Sequence, residues 1–265
     1  MKIQSIMTGM AFWLAVGSAS YAETSTAPLP SMDTIIERAI AAAQTEDDNN
    51  RAFNQHYYYA SESTKEFRNG DGDLKSQEKK QEVHDPLHKR ARKVAQPVAA
   101  PSTASASATS GQASGNTKSS VHGKAFEKKD FLMNPDLLNR FDFTLQGRET
   151  INGRDALVID FKPKSGKLPE HSLKERFINK AAGRVWLDEQ EAQLVKADLY
   201  LTKRVDVFGG LVGSVYKCTC TISRERTDDG LWFTRSTGWH LEGREVLFRR
   251  TVDYHQDISD VRRVR

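Results

Sequence analysis

From Phe141 to Tyr254 the chain alternates apolar and polar residues in short runs separated by turn residues, and that rhythm leaves few folds open. A period of two puts successive side chains on opposite faces of a strand, so each run predicts a strand with one face to bury. Phe141-Asp142-Phe143-Thr144-Leu145 alternates strictly, residues 147–153 supply a turn between two glycines, and residues 156–161 resume with Leu157, Ile159 and Phe161 on one face. Residues 183–188 and a turn at Glu189-Gln190-Glu191 lead into 194–207, where Ala197, Leu199 and Leu201 share a face. Runs at 215–224, 231–240 and 246–254 follow, separated by Asp228-Asp229-Gly230 and Glu242-Gly243-Arg244. Connections this short join antiparallel neighbours, because a parallel pair needs a crossover of about a dozen residues or more. The expectation is a sequentially paired antiparallel meander.

The first half of the chain carries different signals. Residues 31–44 read as an amphipathic helix: Ser31 or Asp33 caps its start, and Ile35, Ile36, Ala39, Ile40 and Ala43 recur at helical spacing. Residues 54–83 read as a hairpin turning at Asn69-Gly70-Asp71-Gly72-Asp73. That turn also resembles a calcium loop, but such a loop needs glycine at its sixth position and glutamate at its twelfth, where this chain has Leu74 and Lys80. Residues 128–139 predict a second helix, with Phe131, Leu132, Leu137 and Leu138 as its apolar side. Sheet plus covering helices gives the fold class: α+β, a long curved antiparallel sheet.

Two stretches stand outside this domain. Lys2, a short apolar run at 10–16 and the small residues of Ser20-Tyr21-Ala22 form a cleavable signal peptide, cut before Glu23. The apolar run falls short of the roughly 20 residues that span a bilayer, and no cysteine follows the cleavage point to take a lipid anchor. A soluble periplasmic product is expected, with a flexible 23–30 leading into one domain at 31–265. Residues 95–125 interrupt it with Ala, Ser, Thr, Gly, Pro and Gln and almost no large apolar side chain, the composition of a disordered insertion.

Formal net charge is +4, and loss of the leader, whose one charged residue is Lys2, leaves +3. That mild balance and export both argue against nucleic acid as a partner. The basic clusters at 89–93 and 262–265 read as solvated, with anionic lipid headgroups as the functional alternative. Cys218 and Cys220 point to one face of a strand, where a bridge between them is strained, so buried thiols are favoured although the compartment is oxidising. The seven histidines fall in no metal or hydrolase spacing, and the chain has neither a G-x-S-x-G elbow nor a phosphate-binding glycine loop. No catalytic residue, metal site or cofactor is expected.

The order of elements resembles the LolA/LolB-like family of periplasmic lipoprotein-sorting proteins. The residues that carry the resemblance are Tyr57-Tyr58-Tyr59, the Gly147 to Gly153 turn with the strand after it, and Gly183-Arg184-Val185-Trp186-Leu187-Asp188 followed by a hairpin. The resemblance implies an unclosed barrel whose concave face holds lipid acyl chains or a lipidated protein, with helices as a lid, and no catalysis. Candidates for lining such a cavity are Trp186, Leu199, Leu201, Trp232, Phe233, Trp239 and Phe248, although aromatics at alternate strand positions also make ordinary core. Phe208, Leu211 and Val212, in an apolar glycine-rich connection, are candidates for a membrane contact or a cavity mouth. The competing reading is a regulatory interaction protein with a filled core and an envelope partner.

Overall fold

A computed structural model describes residues 27–88, 92–94, 135–207, 210 and 213–264. The signal peptide, the low-complexity insertion, most of the helix expected at 128–139, and Phe208, Leu211 and Val212 lie outside those residues. The described elements are α1 (Met32–Gln44), α2 (Glu46–His56), β1 (Tyr57–Asn69), β2 (Leu74–His84), β3 (Arg92–Val94), α3 (Pro135–Leu138), β4 (Phe141–Ile151) and β5 (Arg154–Pro163). There follow α4 (Leu173–Ile178), β6 (Ala181–Asp188), β7 (Leu194–Leu201), β8 (Val205–Val207), β9 (Gly213–Arg226), β10 (Trp232–Glu245) and β11 (Phe248–Arg263).

All the pairings are antiparallel and run in the order β3-β2-β1-β11-β10-β9-β7-β6-β5-β4, with β8 added to β9. The path has two free ends, so the sheet is an unclosed barrel. The meander pairs sequentially as expected, but β1 joins it through the last strand, from Tyr57↔Arg263 to Asn69↔Arg250. This pairing takes the basic tail into the sheet: Arg262 stacks over Tyr58 at 4.1 Å and Arg263 reaches Asp229 at 3.2 Å.

Turns correct three sequence readings. Gly147 lies in a bulge of β4 at φ +146°, and the chain reverses at Asn152 and Gly153, both with positive φ. Glu242-Gly243-Arg244 is not a turn. β10 continues to Glu245, and Gly243 is required there because a Cβ would stand 2.7 Å from the Ser214 carbonyl oxygen. The run at 194–207 is two strands, since the chain bends between Leu201 and Val205.

The helices cover one face of the sheet. Ser31 accepts a hydrogen bond from the Thr34 N–H to start α1, whose Ile35 and Ala39 bury against Leu157, Ile159 and Leu187. Unanticipated from sequence, α2 sets Phe53 into a stack with Tyr57, Tyr59 and Phe233, at centroid distances of 5.1, 5.4 and 5.0 Å. Asn49 holds it in register by exchanging two hydrogen bonds with the Trp232 backbone, at 2.6 and 2.9 Å.

Candidate ligand cavity

Between that concave face and the helices lies a cavity of about 630 Å³. Its roof is unusually low in side-chain volume: α1 presents Ala39, Ala42 and Ala43, which leave space beneath the helix instead of filling it. α4 closes one end with Leu173, Phe177 and Ile178, and Phe177 packs there with the buried Val205 and Val215. Ser172 starts that helix by accepting from the Glu175 N–H at 3.1 Å, while the Glu175 carboxylate reaches back one residue further and accepts from the His171 N–H.

Register orders the floor. Leu241 faces Cys218, Trp239 faces Cys220, Thr237 faces Ile222 and Thr234 faces Arg224 across β10 and β9, all of them cavity residues. Read in that order, the wall passes from fully apolar beside α4 to charged and hydroxylated beside α2. At the polar end Arg224 donates from Nη2 to both carboxylate oxygens of Glu46, at 3.1 and 2.9 Å, and Arg235, Ser236, Gln193 and Gln256 extend the polar lining. The space is therefore amphipathic along its length.

Of the residues singled out from sequence, Leu199, Leu201 and Trp239 line the cavity. The other four stand elsewhere. Trp186 and Trp232 point to the convex face, where they pack with Ala156, Val158 and Val195 and donate to Glu149 and Glu191 at 2.7 and 2.6 Å. Each has a large apolar neighbour on the opposite face, Leu187 beside Trp186 and Phe233 beside Trp232, so alternation alone could not say which face was concave. Phe233 is in the Phe53 and Tyr57 cluster, and Phe248 is 69% exposed at the turn after β10. Sequence reasoning put Ala39 and Ala43 on the apolar side of α1 but assigned neither to a cavity, and it missed Ala42, the Glu46–Arg224 pair and all of α4; the Ser172-x-x-Glu175 capping signature marks α4 in the sequence.

Both cysteines are free thiols on the cavity wall, and burial pushes each up to about 11. A thiol so poorly ionised is a weak nucleophile. Among the described residues no three His, Cys, Asp or Glu side chains are grouped to hold a metal ion, and no helix is long and apolar enough to cross a membrane. The chemistry on offer is apolar burial with a charged group at one end.

No family model and no curated protein matches the sequence. Among solved structures the chain is similar to a domain from Vibrio parahaemolyticus assigned by name to outer membrane lipoprotein sorting, at 13% identity and a TM-score of 0.32, over 86% of this chain and 93% of that one. It is similar to a LolA superfamily protein from Nitrosomonas europaea, at 13% identity and 0.31, over 89% and 94%. It is also similar to a DUF1329 family protein from Desulfovibrio piger, at 16% and 0.29, over 86% and 92%.

Proposed function

We propose that this chain is a periplasmic, non-catalytic binding protein for the acyl chain of a lipid or of a lipidated protein. The observation that carries the reading is the amphipathic cavity. Its volume lies within the roughly 300–1,000 Å³ of small-molecule sites, and its wall grades from apolar at α4 to charged at Glu46 and Arg224. An acyl chain lies toward Leu173, Phe177 and Leu241, and its polar head lies near Arg224 and Arg235. Each methylene removed from water contributes about 0.8 kcal/mol, so a single chain supplies the affinity without a covalent step. An open space where a filled core would sit favours this over the interaction-protein reading. Export by the signal peptide places the carrier between membranes, where acyl chains need shielding from water.

Titration with a fluorescent fatty-acid probe tests it. The protein takes up the probe, and Leu199→Asp, which sets a carboxylate in the cavity wall, lowers affinity by about ten-fold or more. Failure to take up the probe, or equal uptake by the variant, rejects the reading.

A further inference from the structure

Val246 and Leu247 form the turn between β10 and β11 and Phe248 opens β11, and the three are 55%, 79% and 69% exposed. Three consecutive large apolar side chains this far out of the core are costly in water. The turn also holds Val246 at φ 53°, a conformation that a β-branched residue rarely adopts. Nothing in the fold demands apolar residues there: β10 and β11 are paired from Ser236↔Asp257 to Glu245↔Phe248 before the chain reverses. The neighbouring hairpin end lies alongside, with Asn69 paired to Arg250, and adds the 47% exposed Leu74.

The flanks are basic. Arg249 and Arg250 follow Phe248 directly and Arg244 precedes the turn. Arg250 reaches Glu245 at 3.3 Å, and Arg244 donates to the Gly210 carbonyl at 3.0 Å. Arg249 makes no ion pair among the described residues. The nearby acids are Glu245, Asp71 and Asp73, of which Asp73 lies 4.0 Å from Lys75. An apolar tip with arginines at its base matches the two layers of a phospholipid surface, acyl chains within and anionic headgroups outside.

We infer that this turn is a membrane-docking tip, which seats Leu247 and Phe248 among the lipids of an anionic bilayer while Arg249 contacts the headgroups. Val215 lines the apolar end of the cavity opposite Gly243, four residues before Leu247, so the tip projects roughly 13 Å beyond that point at 3.3 Å per residue. The inference goes beyond the carrier reading and does not depend on what fills the cavity, because probe uptake and vesicle binding are separate readouts.

Flotation with vesicles of phosphatidylcholine and phosphatidylglycerol in equal parts, and of phosphatidylcholine alone, tests it. The protein floats with the mixed vesicles, and Leu247→Ser combined with Phe248→Ser weakens binding about ten-fold or more. Arg249→Gln weakens binding to the mixed vesicles about five-fold and leaves phosphatidylcholine alone unaffected. All three positions are exposed, so the far-UV spectrum stays unchanged. Tryptophan emission of Leu247→Trp shifts to the blue and is quenched by brominated lipid only when vesicles carry phosphatidylglycerol. No flotation of the parent protein overturns the inference, as does full binding by the Leu247 and Phe248 variant. Self-association that the same variant abolishes, without flotation, also overturns it and makes the turn a contact between copies of this chain.

Discussion

The guanidinium of Arg224, on the floor strand β9, grips the carboxylate of Glu46, the first residue of α2, with only 6% and 11% of the two side chains exposed. The pair joins helix to sheet at the polar end of the cavity. Removing one member leaves the other charge buried without its partner, which costs about 3 kcal/mol. Glu46→Ala is therefore expected to lower the midpoint of urea unfolding sharply, whereas Asp48→Ala, which breaks an exposed pair with Arg51, changes it little. Equal effects of the two substitutions would show that the buried pair does not hold α2 in place.

How much of this was legible in the sequence depends on what each residue sees. Alternation found the strands of the meander because one face of each needed burial, and Asn69 to Asp73 found the first hairpin because such residues suit a turn. α2 escaped because Glu-Asp-Asp-Asn-Asn-Arg offers no apolar period; it is anchored by Phe53 and by Asn49 on the Trp232 backbone, contacts that exist only after the chain has folded. Gly243 was taken for a turn because glycine serves both turns and close backbone approach, and only the register separates these uses. Leu199, Leu201 and Trp239 were legible as sheet residues, but the sequence does not say which face curves inward. That is why Trp186 and Trp232 were grouped with them.

Gly183 illustrates the close-approach use of glycine. A Cβ there would lie 2.2 Å from the Asp198 carbonyl oxygen, so β6 and β7 cannot keep their pairing around an alanine. Gly183→Ala is expected to destabilise the protein by about 3 kcal/mol, and Gly72→Ala, where nothing lies within 4 Å, by less despite its positive φ. Thermal unfolding of both variants checks the order.

Thiol reactivity reports on the cavity wall. With pKa values pushed up to about 11, roughly one thiol in a thousand is ionised at pH 8. Cys218 and Cys220 should react with iodoacetamide far more slowly in the native protein than in urea, and more slowly again with a fatty acid present. Labelling at the unfolded rate would mean that the wall is open to water.

His240, on the convex face, ties stability to pH. Burial opposes its charged form, but hydrogen bonds to Glu242 at 2.8 Å and Asp253 at 2.6 Å outweigh that, so its pKa is raised. A value raised on folding contributes stability that is complete below the unfolded pKa of about 6.5 and is lost as pH rises through the folded value. His240→Gln is expected to cost more stability at pH 5.5 than at pH 9, and an equal cost at both would remove the charged histidine from the account.

The central claim is that the space under α1 and α4 holds an acyl chain. Native mass spectrometry of the purified protein, followed by organic extraction and lipid analysis of what travels with it, tests this most directly. The account predicts a reproducible acyl-bearing mass that is lost in Leu199→Asp. A protein that flies without a ligand, and yields no lipid on extraction, would contradict it.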